Sequence, residues 1–253
     1  MNTQVKARQA ATVILLRAAA PKGFEVFLTR RPDSMPFLGG MYCYPGGSVI
    51  KEDFSPPAAM ARCTGLSPDQ ARKIVGAHFS PRQALGFWIA AIRELFEEVG
   101  ILLAAHDSGE RFPTGAQARK MPAMHDALLN NSLSFISLLE SEELRCDLAS
   151  LGYFSHWQTP SQVSQRFDTR FFVAALPPEQ IPLQSSYEVT HSLWLAPERA
   201  MQLHEHGQLP MIFPTFASLR TLADFETLES VLKEFHAGTV TPVSSKLSAP
   251  AKR

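Results

Sequence analysis

Arg93-Glu94-Leu95-Phe96-Glu97-Glu98-Val99-Gly100-Ile101 closes the strongest run of helical periodicity in the chain. Upstream of it Leu85, Trp88, Ile89 and Ile92 recur at three- and four-residue spacing and lead into Leu95 and Phe96. That pattern predicts a helix from about Arg82 to Val99 with its apolar stripe against a core. Gly100 supplies the stop, since glycine enters the left-handed conformation that ends helices at no steric cost. On this helix Glu94, Glu97 and Glu98 stand at i, i+3 and i+4 and project from one face. Like charges so placed repel by about 0.2–0.5 kcal/mol per pair. A divalent cation turns the repulsion into a binding site, and carboxylate oxygens in this number suit Mg²⁺ or Mn²⁺, which keep waters and bridge to phosphates. Arg93 can pair with one carboxylate and fix its direction. Taken alone, three glutamates are more simply a solvated helix face.

Before the helix, Ala11 to Leu16 and Glu25 to Thr29 are β-rich runs separated by Pro21-Lys22-Gly23 and predict a hairpin or an adjacent strand pair. A glycine-rich loop follows, Gly39-Gly40 to Gly46-Gly47, with one short aromatic strand inside it. Residues 54–83 read as an insertion holding a short helix with Ser67 as N-cap and Pro68 at its first position. After the helix, 105–115 reads as a polar loop, and 116–147 as two short helices around Ala118 to Leu129 and Ser132 to Leu148. Strands return at Phe154 to Trp157, Arg170 to Ala175 and Ser192 to Leu195, then helices at Pro197 to His204, Thr215 to Phe225 and Glu226 to Phe235. This is a mixed α and β arrangement without regular βαβ alternation. It has no Walker lysine motif and no GxGxxG after a strand, so any phosphate chemistry is carried another way. The expected organisation is one domain over 1–237, with insertions at about 54–83 and 105–150, and a disordered tail over 238–253.

Lys and Arg number 24 against 24 Asp and Glu in 253 residues, a balance that removes the usual reason to expect nucleic acid or a membrane surface as partner. Cys43, Cys63 and Cys146 are odd in number, widely spaced and without a CxxC, which suggests neither a disulfide framework nor a zinc finger and fits a reducing, cytoplasmic compartment. The apolar run Ala10 to Leu16 is too short to span a bilayer and ends at Arg17 without a small-residue cleavage site, so it reads as a buried strand. Ser245-Lys246-Leu247 has six residues after it and is not read as a peroxisomal address.

The nine-residue string Arg93 to Ile101 resembles at every position the Nudix signature, Arg-Glu-aliphatic-any-Glu-Glu-any-Gly-aliphatic. The full box opens with a glycine and, six positions on, an acidic residue; Gly47 and Asp53 match that spacing, with Glu52 as a neighbouring candidate. Seven residues normally follow before the arginine, whereas here residues 54 to 92 intervene. Such a loop is tolerable because closure entropy grows only logarithmically with length. Further stretches are similar to the Nudix branch of peroxisomal-type coenzyme A diphosphatases with an insertion inside the box: Ala10 to Val13, Tyr44-Pro45-Gly46-Gly47, Trp157 to Pro160, Arg166 to Phe172, Trp194-Leu195 and Pro214-Thr215. Leu28 to Arg31 and Gly40 to Gly47 also match the two ends of a coenzyme A signature from another Nudix branch, without its middle arginine.

The resemblance implies an α+β fold, an α/β/α sandwich with a mixed central sheet and helical insertions. It implies hydrolysis of a nucleotide diphosphate with Mg²⁺ or Mn²⁺, of coenzyme A or an acyl derivative first, and of ADP-ribose, NADH or dinucleoside polyphosphates as rivals. By carry-over, Glu97 and Glu98 are the principal metal ligands, Glu94 a further ligand or general base, Arg93 their orienting partner and the Gly47 carbonyl a further ligand. Glu188 is the candidate for the later glutamate that many relatives use. Arg30, Arg31, Arg166 and Arg170 are candidate phosphate clamps, since guanidinium forks match phosphate oxygens, and Tyr44 is a further substrate contact. Trp157, Phe167 and Phe172 offer rings for adenine or a pantetheine arm, against plain core packing. His204-Glu205-His206 lacks a third nearby ligand and reads as a solvated helix end. A non-catalytic nucleotide-binding module is the competing class; its expected sign, loss of a box glutamate, is absent. Whether a homodimer forms is left open.

Overall fold

A computed structural model describes residues 6–236 except 56, 163–164, 184–185 and 187. The tail read as disordered and Ser245-Lys246-Leu247 fall outside the described residues. A seven-stranded mixed sheet is built on β1 (Arg8–Ala18), whose run from Ala10 to Leu16 is apolar on both faces apart from Thr12 because it lies mid-sheet. β1 pairs in parallel with β10 (Phe167–Ala175) and antiparallel with β2 (Phe24–Arg30) and β4 (Gly46–Ser48). β3 (Tyr42–Cys43) and β11 (His191–Leu195) pair with β2, while β9 (Gly152–Gln158) pairs with β10 and forms the far edge.

Side chains alternate across β1, so Ala11, Val13 and Leu15 enter one core and Ile14 and Leu16 the other. The first core is covered by α3 (Pro81–Val99), the second by α6 (Pro197–Glu205), α7 (Phe213–Leu222) and α8 (Leu228–His236). This is the expected α/β/α sandwich. α3 begins one residue earlier than predicted: Ser80 caps it, Gln83 returns the bond to the Ser80 amide, and Pro81 occupies the first turn. It ends on Gly100 at φ 71°.

The insertions are not purely helical. α1 (Pro57–Ala61), β5 (Cys63–Thr64) and α2 (Pro68–Val75) make up the first. The second holds α4 (Met121–Leu129), α5 (Phe135–Ser141) and β8 (Leu144–Asp147). With β6 (Ala104–His106) and β7 (Arg111–Phe112) they form a four-stranded sheet ordered β5-β8-β6-β7, in which β5 and β8 join the two insertions. The polar loop expected at 105–115 is therefore a hairpin, and the helix expected to reach Leu148 stops at Ser141. β5, β6 and β7, of two or three residues, are too short to show alternation, and the four residues of β8 offer only two apolar positions, Leu144 and Cys146. Glu143, at φ 54°, breaks the helix before the apolar spacing does. Among the described residues no helix is long and apolar enough to cross a membrane.

Candidate active site

The last two turns of α3 lie against β4, and the two meet backbone to side chain. Gly47 sits opposite Ala11, and a Cβ on it would stand 2.5 Å from the Glu94 carboxyl atoms. Beside it the Gly46 amide donates to Glu98 Oε2 at 3.1 Å. Gly47 thus lets the strand approach the Glu94 carboxylate more closely than any side chain would allow, whereas a Cβ on Gly46 would run into β1 at the Ala11 carbonyl oxygen.

Arg93 organises the rest. Its guanidinium donates to Asp53 through Nε (2.9 Å) and Nη2 (3.0 Å), to Glu94 and Glu97 through Nη1 (2.9 and 2.8 Å), and to the Ser48 carbonyl through Nη2 (2.9 Å). Asp53 closes a single 3₁₀ turn, Lys51–Asp53, is 1% exposed, and also accepts from the Ile50 amide at 2.8 Å. Glu52 faces solvent. The structure thereby separates the two acidic candidates: the residue 40 positions before Arg93 faces it, and its neighbour does not.

Burial works against the Arg93 charge, and the bonds and field of Asp53 outweigh it, so the guanidinium stays protonated. Burial is likewise the first influence on the glutamates. It pushes Glu94 up to about 7 against the pull of Arg93, with Glu97 adding to the rise. Glu98 is raised well above the usual range by burial and then by Glu94, and the Gly46 amide offsets only part of this. The field of Glu188 reaches both Glu97 and Glu98, and Glu188 lies 3.9 Å from Arg31. These are closely packed carboxyl oxygens with too little positive charge nearby to ionise them all at ease, the donor set a hard divalent cation suits. Among the described residues no three His, Cys, Asp or Glu side chains form a ready metal cage; Arg93 Nη1 bridges Glu94 and Glu97 instead.

The remaining candidates divide. Arg31 is brought to the cluster, acting on Glu98 and on Cys43. Arg30, on the same strand end, pairs with Asp33 at 2.7 Å. Arg166 Nε donates to the Thr159 carbonyl at 3.3 Å. Arg170 is 1% exposed, pairs with Asp168 at 2.5 Å and lies over the Phe79 and Phe87 rings, so its charge is used inside the core. Tyr44 is also buried, on the opposite face of the sheet against Phe171, with its hydroxyl donating to the Thr215 carbonyl. Phe172 packs on Trp88 and Tyr153, whereas Trp157 and Phe167 remain half-buried. His204 and His206 bond backbone carbonyls at the end of α6. Two residues passed over in the sequence lie here: Cys43, its thiol pushed up to about 11 by burial and then by Glu98, and His125, at the back of α3. A cavity of about 430 Å³ lies elsewhere, lined by Leu102, Phe112, Leu176 and Leu232, and contains none of the carboxylates.

Residues 7–222 match the family model of the NUDT19 Nudix domain. The chain belongs to this Nudix family. It is similar to the acyl-coenzyme A diphosphatase NUDT19 of Gallus gallus, 28% identical over 279 residues that cover 92% of this chain and 72% of that protein. The Homo sapiens protein of the same name is 26% identical over 246 residues, 86% of this chain and 65% of that one. A crystal structure of a Nudix hydrolase from Alicyclobacillus acidocaldarius superposes with a TM-score of 0.70 at 26% identity, covering 91% of this chain and 97% of its own. The Nudix box is thus split by the first insertion in sequence and closed in space by the Asp53–Arg93 pair.

Gly47→Ala tests the close approach at the box glycine. The atoms a new Cβ meets are the end of the Glu94 side chain rather than backbone, so the fold yields cheaply and the cost falls on Glu94. Turnover is expected to drop by roughly 10²-fold, the scale of a misplacement near 1 Å, with thermal stability little changed. Steady-state kinetics beside a melting curve checks both.

Proposed function

We propose that this Nudix hydrolase cleaves the diphosphate of coenzyme A or an acyl-coenzyme A, giving 3′,5′-ADP and the (acyl-)4′-phosphopantetheine, with Mg²⁺ or Mn²⁺. The observation that carries the reading is the set of three α3 carboxylates, Glu98 on the Gly46 amide, Glu94 against Gly47 and Glu97 tied with Glu94 to Arg93, on a chain of the NUDT19 family. Glu97 and Glu98 hold the cation, with the Gly47 carbonyl and Glu94 beside them and Glu188 as the further glutamate. The bound cation lowers the pKa of water and offsets charge on phosphoryl oxygens. Glu94 takes the proton as water adds to one phosphorus and the bridging P–O bond breaks. Arg93 fixes the directions of Glu94 and Glu97. Arg31, with Arg30 at the same strand end, faces the diphosphate oxygens. Arg170 and Tyr44 have no part in this reading, because both are enclosed by the core. A reducing, cytoplasmic setting suits the three free cysteines.

The test is release of 3′,5′-ADP from coenzyme A and acyl-coenzyme A with each metal, beside ADP-ribose, NADH and diadenosine polyphosphates. Metal-dependent cleavage that favours coenzyme A supports the reading. Preference for another diphosphate keeps the reaction and discards the substrate. Failure to cut any of them with either metal overturns it in favour of a nucleotide-binding module.

A further inference from the structure

α4 buries Met121, Met124, His125 and Leu128, the i, i+3, i+4, i+7 stripe of an amphipathic helix. The three apolar members join the core that covers α3. His125 is 7% exposed and stands edge-on to Phe96, with ring centroids 5.5 Å apart at 78°. A polar ring in such a stripe costs desolvation unless it is bonded, and here Nε2 lies 2.9 Å from the Glu97 carbonyl oxygen. A carbonyl only accepts, so Nε2 carries the hydrogen.

The position of that carbonyl gives the bond its meaning. The last four carbonyls of a helix have no partner within it. In α3 the Phe96 carbonyl accepts from the Gly100 amide at 2.9 Å, and the Val99 carbonyl from the Leu183 amide at 2.9 Å. The Glu97 carbonyl takes His125. It belongs to the rigid peptide plane that joins Glu97 to Glu98, so its orientation governs the Cα–Cβ directions of both glutamates.

We infer that His125 is a positioning residue for the carboxylate site: by holding the Glu97–Glu98 peptide from behind, it couples the second insertion to the chemistry at the front of α3. The inference rests on the reading of Glu97 and Glu98 as cation ligands. Partners one layer behind a metal's ligands commonly shift affinity or activity 10- to 100-fold, although they never touch the metal.

The experiment compares wild type with His125→Phe, His125→Leu, His125→Gln and His125→Asn. It measures Mn²⁺ binding, from the electron paramagnetic resonance signal of free Mn²⁺, and steady-state cleavage of coenzyme A. Phe and Leu keep the packing and lose the donor; Gln places an amide N–H near the reach of Nε2, and Asn falls short of it. Loss of the donor is expected to weaken Mn²⁺ binding and lower kcat by about tenfold each while KM stays within about twofold, and Gln to restore both to within about threefold. Should the apolar variants not fold, the contrast between Gln and Asn carries the test. Phe binding Mn²⁺ and turning over like wild type, or Gln no better than Asn in folded protein, overturns the inference and leaves the diphosphatase reading intact. A wild-type chain that binds no Mn²⁺ overturns the cation-site reading and the inference together.

Discussion

Arg93→Met is expected to destabilise the protein by roughly 3–5 kcal/mol, the cost of removing one partner from a buried ion pair, and to abolish turnover. Arg93 is 5% exposed, and its guanidinium is the shared donor for Asp53, Glu94 and Glu97. Methionine fills most of the volume, so the loss is electrostatic more than steric. What remains is Asp53, 1% exposed, with the Ile50 amide as its other hydrogen-bond donor. A buried carboxylate in that position either unfolds its surroundings or takes up a proton. Adding Asp53→Asn to Arg93→Met removes the stranded charge, so the double variant should recover part of the stability while staying inactive. Urea denaturation of the two single variants and the double variant measures the coupling. A loss below about 1 kcal/mol for Arg93→Met, the range of exposed pairs, would show that the guanidinium is not buried among these carboxylates.

The features legible in the sequence were those written into a short window. α3, its glycine stop and its acidic face follow from spacing alone, and so do the strands whose apolar runs span both cores. Asp53 and Glu52 were indistinguishable by spacing, because which of them faces Arg93 depends on a 3₁₀ turn and a contact 40 positions away. Arg170 and Tyr44 carry the right chemistry for a substrate contact, yet strand register turns each into a core. Register is a property of pairing, and a single strand does not reveal it. The satellite sheet was hidden for the same reason: Cys63 and Cys146 sit opposite one another across two insertions that each looked helical or irregular. His125 did leave a trace, as the polar member of an otherwise apolar stripe, but only its distance to the Glu97 carbonyl says what it is for.

Glu97→Gln should separate catalysis from folding more cleanly than any other change at the site. The Glu97 side chain is 28% exposed and its carboxylate is bonded to Arg93 Nη1. Glutamine keeps the shape and retains an amide oxygen able to accept that bond, so stability is expected to stay within about 1 kcal/mol of wild type. The charge is lost. If Glu97 holds the cation that activates water, several kcal/mol of barrier lowering go with it, and turnover falls on the order of 10³-fold. Glu52→Gln is the matched control, because Glu52 is a box-adjacent carboxylate that faces solvent, and its turnover should match wild type. Nucleotide binding by the Glu97→Gln protein, measured by calorimetry, should survive, since Arg30 and Arg31, the phosphate contacts proposed above, are untouched. Loss of turnover with binding and melting temperature retained assigns Glu97 to the chemistry. Unchanged turnover would remove it from the site and, with it, the reason for three glutamates to share one face of α3.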